Sequence, residues 1–308
     1  MKKNIEFIGI YGPTASGKTQ LAIELAQKYP IEIISVDSAL VYQDMDIGTA
    51  KPTPEQMAAI PHHLIDIITP CEKFTVGAFH QRCCEVIDQV RKKNKIPLLV
   101  GGTGLYFESI TRGYHNLPLI DETVTNKVDA FIQDHGLAHA YQYLLKLDVR
   151  HQVLKAGDTQ RIHRALCVYE QTGKMIFEFW KTQQPKHQGH IIAIKPDDRD
   201  ILRTKIKQRM REMFNAGFID ETENIVRKYQ LTETHNSMRC VGYRQVFQYL
   251  QGTISKEEMK DRVFFATCQY AKRQITWLNR LRDSNVTEVT PEKINKINQI
   301  ITNCFNNN

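Results

Sequence analysis

Apolar positions along the chain change period several times, and each change marks an element. Ile5, Phe7, Ile8 and Ile10 form a short apolar run, the pattern of a buried parallel strand. The run breaks into a glycine-bounded loop, Gly12 to Thr19, and the period turns helical through Leu21, Ala22, Leu25 and Ala26. Residues 31–37 (IEIISVD) repeat the strand pattern and end on Asp37, before a loop punctuated by Gly48, Pro52 and Pro54. Residues 62–68 (HHLIDII) are another short apolar run. Residues 76–95 are helical through Phe79, Cys83, Val86, Ile87 and Val90, and 96–104 (IPLLVGGTG) form a strand that turns through paired glycines. Alternating strands and helices over 1–115 predict an α/β sheet. Glycines at the C-terminal end of a buried strand are where an open sheet places its ligand crevice.

From 116 to 186 the pattern changes. Asp121 to Leu147 reads as two helices broken near His135-Gly136, and Asp158 to Glu170 as a third with Ile162, Ala165, Leu166 and Tyr169 on one face. Residues 190–195 (HIIAIK) then resume a strand. Two long helical stretches follow. Ile201 to Phe214 carries Leu202, Ile206, Met210 and Met213 on one face, with Arg203, Lys207 and Arg211 along a basic ridge and Lys205 and Arg209 beside it. Asp261 to Arg282 turns Phe264, Cys268, Ala271, Ile275 and Leu278 inward, and the Asn306 to Asn308 tail is expected to fray. The expected fold is α/β: a P-loop NTPase-like parallel sheet core (1–115 and 187–308) with a helical insertion (116–186) and C-terminal helices.

Composition narrows the function classes. With 308 residues, 42% hydrophobic and 24% charged, the chain can bury a full core in one large or two smaller domains. No apolar run reaches the roughly 18 residues of a membrane span. The N-terminal MKKNIEF enters a strand directly, so no secretory signal is expected. Seven cysteines, odd in number and without a CxxC pair, argue against a disulfide framework or zinc finger and fit reduced thiols in the cytoplasm. His62-His63 lacks metal-ligand spacing and is assigned a structural role. A net charge of +7 favours a polyanionic partner.

The chemistry concentrates in a few stretches. Gly12, Gly17, Lys18 and Thr19 satisfy GxxxxGK[ST], so backbone N–H groups and a helix N-terminus face one phosphate-bearing ligand, Lys18 reaches its outer phosphate, and the Thr19 hydroxyl can hold Mg²⁺. Asp37, at a strand end, is a Mg²⁺ partner, a general base, or a cap. Thr103 either offers a hydroxyl to a base or phosphate or simply makes a tight turn. Basic and aromatic residues interleave at Arg161 and Arg164, at Arg239, Tyr243 and Arg244, and at Lys272, Arg273, Trp277 and Arg280, matching the needs of RNA. An ATP-dependent small-molecule or nucleoside kinase would use the same P-loop, but leaves these clusters and the insertion without a task.

The segments GPTASGKT, DSALVYQDMDIGTAKP, PHHLIDI, VGGTGLY, DTQRIHRAL, RCVGYRQ and AKRQITWL occur here in the order of the tRNA dimethylallyltransferase (isopentenyltransferase) family, which the chain resembles from residue 7 to about 282. The resemblance implies transfer of a dimethylallyl group from dimethylallyl diphosphate to N6 of the adenosine 3′ of the anticodon, in tRNAs reading codons that begin with U. It implies that Gly12, Pro13, Thr14, Ala15, Ser16, Gly17, Lys18 and Thr19 cradle the diphosphate, with Mg²⁺ on Thr19. Asp37 is then the catalytic base, with Thr19 and Arg209 assisting at the diphosphate. The tRNA contacts fall on Asp37, Ser38, Ala39 and Leu40, and on Thr103. They continue on Gln160, Arg161, Ile162, His163 and Arg164, and on Arg239, Cys240, Val241, Gly242, Tyr243 and Arg244. A last group comprises Lys272, Arg273, Gln274, Ile275, Thr276, Trp277, Leu278 and Asn279. Asn279 stands where the family commonly has arginine, so that phosphate contact is absent or shifted to Arg280. The short length and lack of a C-terminal zinc finger resemble the bacterial form, expected to be a cytoplasmic monomer.

Overall fold

The computed structural model describes residues 5–115, 117–180, 184–196, 198–281, 285–290, 297 and 301–302. Arg282 and the Asn306 to Asn308 tail lie outside the described residues. The chain divides into two compact units, Met1–Arg112 with Pro185–Asn308, and Gly113–Gln184.

In the first unit the apolar runs become β1 (Phe7–Tyr11), β2 (Ile31–Val36), β3 (His62–His63), β4 (Ile96–Gly101), β5 (Gly189–Ile194) and β6 (Val286–Val289). Among the described residues these form one parallel sheet in the order β3-β2-β4-β1-β5-β6. Period-two alternation decides which face each side chain serves. Phe7, Tyr11, Ile34, Val36, Leu99 and Ile191 pack with α3 (Val76–Lys92), α4 (Gly104–Arg112) and the end of α11 (Lys256–Leu281). Ile8, Ile10, Ile33, Leu98 and Ile192 pack on the opposite face with α1 (Lys18–Ala26). Covered on both faces, β1, β4 and most of β2 are apolar, the pattern of buried parallel strands. One polar exception is Glu32, 1% exposed. Burial alone would raise its carboxyl, but hydrogen bonds from Lys95, His63 and Lys93 outweigh that and hold it at about 2.

Four elements escape the hydrophobic pattern. α2 (Pro54–Ala59) is a single short helix started by a Thr53 capping box. α9 (Phe218–Tyr229) and α10 (Tyr243–Leu250) form a third core with Met45, Met238 and Met259. β6 is only four residues long and its two valines are not two apart. The 62–68 run joins the sheet through His62 and His63 and meets Tyr42 again only as an isolated bridge at Ile68, because Leu64 and Asp66 take left-handed φ values of 61° and 54° and break the strand. α8 (Arg199–Asn215) is the expected long basic helix.

The second unit comprises α5 (Glu122–His135), α6 (Leu137–Leu147) and α7 (Thr159–Thr172). Gly136 makes the break between α5 and α6, and Val128, Ala140, Leu144, Ile162, Ala165 and Val168 form the unit's own core. Among the described residues no helix is long and apolar enough to cross a membrane.

Candidate active site

Register places the site. In the sheet Tyr11 is level with Gly101, and Gly101 is level with Val36, so three adjacent parallel strands end together. The P-loop after β1, Asp37 after β2 and the 102–104 turn after β4 therefore open into one crevice at the carboxyl edge. The crevice is a cavity of about 480 Å³ lined by Thr14, Lys18, Thr19, Asp37, Tyr106, Arg209 and Arg273, among others. A second depression of about 620 Å³ lies against Ala15, Ser16, Gly17, Lys18 and Thr19, with Lys205 and Arg209 from α8 opposite.

Backbone geometry makes the P-loop an anion cradle. Gly17 takes a left-handed φ of 86° and starts α1 without a side-chain cap, leaving the first N–H groups of the helix for a ligand. Ser16 Oγ is buried and has no hydrogen-bond partner, an orphaned donor in the wall where an anion would sit. Lys18 Nζ donates to the Pro13 carbonyl at 2.7 Å, bending the lysine back over the loop. Burial, helped by nearby Arg209 and partly offset by Asp37, pushes the Lys18 ammonium down to about 7. Burial also lowers the Arg209 guanidinium, against the pull of Asp37. Lys18 and Arg209, held together with Asp37 as the nearby carboxylate, suit a phosphate-bearing anion.

Asp37 is half-buried and projects from the end of β2, where its Oδ1 accepts the Ala39 N–H at 2.8 Å. Beside it the Ser38 N–H donates to Thr103 Oγ1 at 3.1 Å, so the hydroxyl of the glycine turn fixes the turn that follows Asp37. Burial raises Tyr270 and Tyr106, with Asp37 adding to each, so both phenols stay protonated beside the carboxylate. Burial and Asp37 also push the Cys240 thiol up to about 12, which makes it an inert wall rather than a nucleophile. Leu40, Ile206, Met210, Met213 and Val263 give the same cavity an apolar side. Among the described lining residues Asp37 is the one carboxylate.

The segments expected to touch tRNA separate by orientation. In the first unit Asp37, Ser38, Ala39, Leu40, Arg239, Cys240, Val241, Gly242 and Arg273 line the cavity, and Arg244, Lys272, Thr276 and Asn279 are exposed. Arg280 stacks on Trp277 at 4.7 Å. Several side chains of these segments are turned inward, Tyr243 and Gln274 at the cavity wall. Tyr243 and Leu278 are core residues, and Ile275 packs against Leu202, Ile206 and Ala271. Gln274, 3% exposed, accepts from the Thr14 N–H at 2.8 Å and donates to the Gly102 carbonyl at 3.1 Å. Its carboxamide clamps the P-loop to the glycine turn instead of reaching outward.

In the second unit Gln160 and Arg161 are exposed, whereas Ile162 is fully buried in the helical core. His163 Nε2 lies 3.1 Å from Asp129, and Arg164 donates to the Pro118 carbonyl at 2.9 Å. Arg161 is therefore the outward cation of that segment, and Arg164 holds the unit together.

Sequence reasoning missed Glu221, on α9. Its carboxylate accepts the consecutive N–H groups of Asp46, Ile47 and Gly48 at 3.0, 2.6 and 3.1 Å, and the Tyr243 hydroxyl at 2.6 Å. Lys51, also missed, donates to the Tyr42 carbonyl at 3.0 Å and pairs with Asp46 and Asp66. The visible signal for Glu221 was weak, one of two adjacent acids in the first turn of an ordinary amphipathic helix.

Comparison with known proteins gives the family. The family described as IPP transferase matches residues 40–281. A tRNA dimethylallyltransferase of Acinetobacter baumannii (strain SDF) is 44% identical over 294 residues, 92% of this chain and 93% of the relative. The full-length tRNA isopentenylpyrophosphate transferase from Bacillus halodurans superposes with a TM-score of 0.70 at 32% identity, covering 98% of this chain and 97% of that one. A eukaryotic dimethylallyltransferase captured acting on tRNA gives a TM-score of 0.75 at 26% identity, over 92% of this chain and 73% of that one.

Proposed function

The chain belongs to the IPP transferase family, and on that premise we propose that it transfers a dimethylallyl group from dimethylallyl diphosphate to N6 of the adenosine 3′-adjacent to the anticodon of tRNA. The supporting observation is one cavity that joins a phosphate cradle, two basic side chains, an apolar wall and a single carboxylate. The exocyclic amine is a weak nucleophile, because its lone pair is shared with the ring. It attacks C1 of the prenyl group as the C1–O bond breaks, and diphosphate leaves with the bonding pair. Asp37 accepts the proton released from N6. Lys18 and Arg209 meet the charge that develops on the leaving group. The apolar side holds the allylic chain and keeps water from its cationic carbon.

Mg²⁺ belongs to this reading. The Thr19 hydroxyl is exposed on the wall of both depressions and would hold the ion, while Asp37 keeps one carboxylate oxygen free of the Ala39 bond for the N6 proton. Among the described residues no cluster of three or more acidic, histidine or cysteine side chains exists to cage a metal. That fits an ion that takes most of its ligands from substrate phosphates and water. When bound it neutralises leaving-group charge. The six described cysteines are free thiols, in keeping with a cytoplasmic setting, and we take the protein to act as a monomer.

Incubation with unmodified tRNA, Mg²⁺ and labelled dimethylallyl diphosphate tests the proposal, with a parallel reaction offering ATP. Label is expected to enter tRNA without ATP and to be abolished by Asp37→Ala, while tRNA binding is largely retained. ATP consumption with no label in RNA would replace this reading with a P-loop kinase. Equal loss of transfer and of tRNA binding in Asp37→Ala would remove the general-base role.

A further inference from the structure

We propose that Glu221 is a positioning residue for the diphosphate half of the reaction, acting at a distance through Arg209; the inference rests on the function proposed above. Three consecutive N–H groups, those of Asp46, Ile47 and Gly48, converge on one carboxylate. Such a run of amides is an anion nest, and here the anion is the protein's own. The residue after the nest is Thr49, whose carbonyl accepts Arg209 Nη2 at 3.2 Å. Among the described residues this is the one hydrogen bond that holds the guanidinium. Glu221 thus fixes the strap, the strap fixes a carbonyl, and the carbonyl aims the arginine.

The strap has little freedom apart from this. Thr49 Oγ1 donates back to the Met45 carbonyl at 2.6 Å, and Ala50 sits at a left-handed φ of 51°. Gly48 presses on two rings, and an added Cβ would lie 2.1 Å from Phe218 and 2.5 Å from Tyr243. Charge matters as well as shape. Glu221 supplies acceptors at both oxygens, with Oε2 taking the Asp46 and Ile47 N–H groups and Oε1 taking Gly48 and Tyr243. A carboxamide of the same size must turn an NH₂ group towards at least one N–H or O–H, leaving donors face to face.

Tyr243 gives the inference a sharper edge. It lies in the 239–244 segment expected to meet tRNA, yet its ring is fully buried and its hydroxyl donates to Glu221. Its influence therefore runs towards the diphosphate, not towards the RNA.

The test measures steady-state transfer for both substrates and direct binding of inorganic diphosphate by calorimetry. Glu221→Gln is expected to raise KM for dimethylallyl diphosphate about tenfold and to weaken inorganic diphosphate by a similar factor, with KM for tRNA within about twofold. Tyr243→Phe moves the same two parameters about threefold. In an Arg209→Gln background Glu221→Gln adds nothing further, because its route passes through the arginine. Additive losses in that background, or a rise in KM for tRNA in place of the diphosphate, overturn the proposal. If Glu221→Gln does not fold, Tyr243→Phe decides the matter on the same parameters. Wild-type protein that binds diphosphate but transfers no label to tRNA overturns the proposed function, while the binding measurements still judge Glu221.

Discussion

The α/β unit and the helical unit arrange polar groups in opposite ways. In the α/β unit they are turned inward and tied to backbone: Lys18 to Pro13, Gln274 to Thr14 and Gly102, Glu221 to three amides, Arg209 to Thr49. In the helical unit Gln160 and Arg161 face solvent, and the strong internal ties, Arg164 to Pro118 and Lys127 to Glu170, are local. A preorganised site keeps its geometry before substrate arrives and gains rate from it. Solvated cations lend attraction to a polyanion but little aim. Substitutions of these inward-tied groups of the first unit should therefore change chemistry, and outward ones in the second should change affinity alone.

The largest test of that contrast is Lys18→Met. It should lower transfer by about two to three orders of magnitude, as loss of a leaving-group partner does, with tRNA affinity nearly unchanged. It should also remove a pH signature. The free-protein lysine is held at about 7, well below its ordinary value, so above neutrality it is largely uncharged until an anion restores its proton. Binding of inorganic diphosphate at pH 8 should then take up a proton, measurable by calorimetry in buffers of different ionisation enthalpy, and Lys18→Met should abolish that component. The same depression makes the folded state bind fewer protons than the unfolded one between about 7 and the ordinary lysine value. This group's contribution to stability therefore rises with pH across that window. A lysine proton uptake that persists in Lys18→Met would place the titrating group elsewhere.

A smaller effect, but a cleaner one, comes from the helical unit. Arg161→Ala should weaken tRNA a few-fold and reduce the slope of log affinity against log salt by about one, with kcat unchanged. Arg164→Ala, three residues on, should instead cost about 1–2 kcal/mol of local stability through its orphaned Pro118 carbonyl, seen as faster amide exchange across 117–172. If the two arginines behave alike, the distinction between outward attraction and internal structure fails.

What could be read before the structure follows the same division. The P-loop announces itself because its chemistry lies in consecutive backbone groups, so spacing alone encodes it. Asp37 is visible as an acid ending an apolar strand, and α5, α6 and α7 as periodic faces around Gly136. Glu221 is invisible because its partners lie about 175 positions away and nothing local distinguishes it. Gln274 left a trace, a polar residue on the same stripe as Ala271 and Leu278, but the family pattern pointed it towards RNA while burial turned it to the P-loop. β6 is too short for its period to show, and its place at the sheet edge depends on β5.

The sheet order carries a consequence for how the protein is made. β1 is the strand that launches the phosphate loop, yet its partner β5 is synthesised only after the whole helical unit, with Phe7 pairing to Gly189. On the ribosome β1 therefore waits with one edge unpaired while α5, α6 and α7 emerge and fold among near neighbours. The long-range pairing sets the pace, and the nascent chain is most exposed to strand-to-strand aggregation during that interval. The finished crevice is a late product of synthesis, so a chain stalled before residue 189 has its phosphate loop on β1 to β4 but lacks β5, β6 and the α8 and α11 side of the crevice.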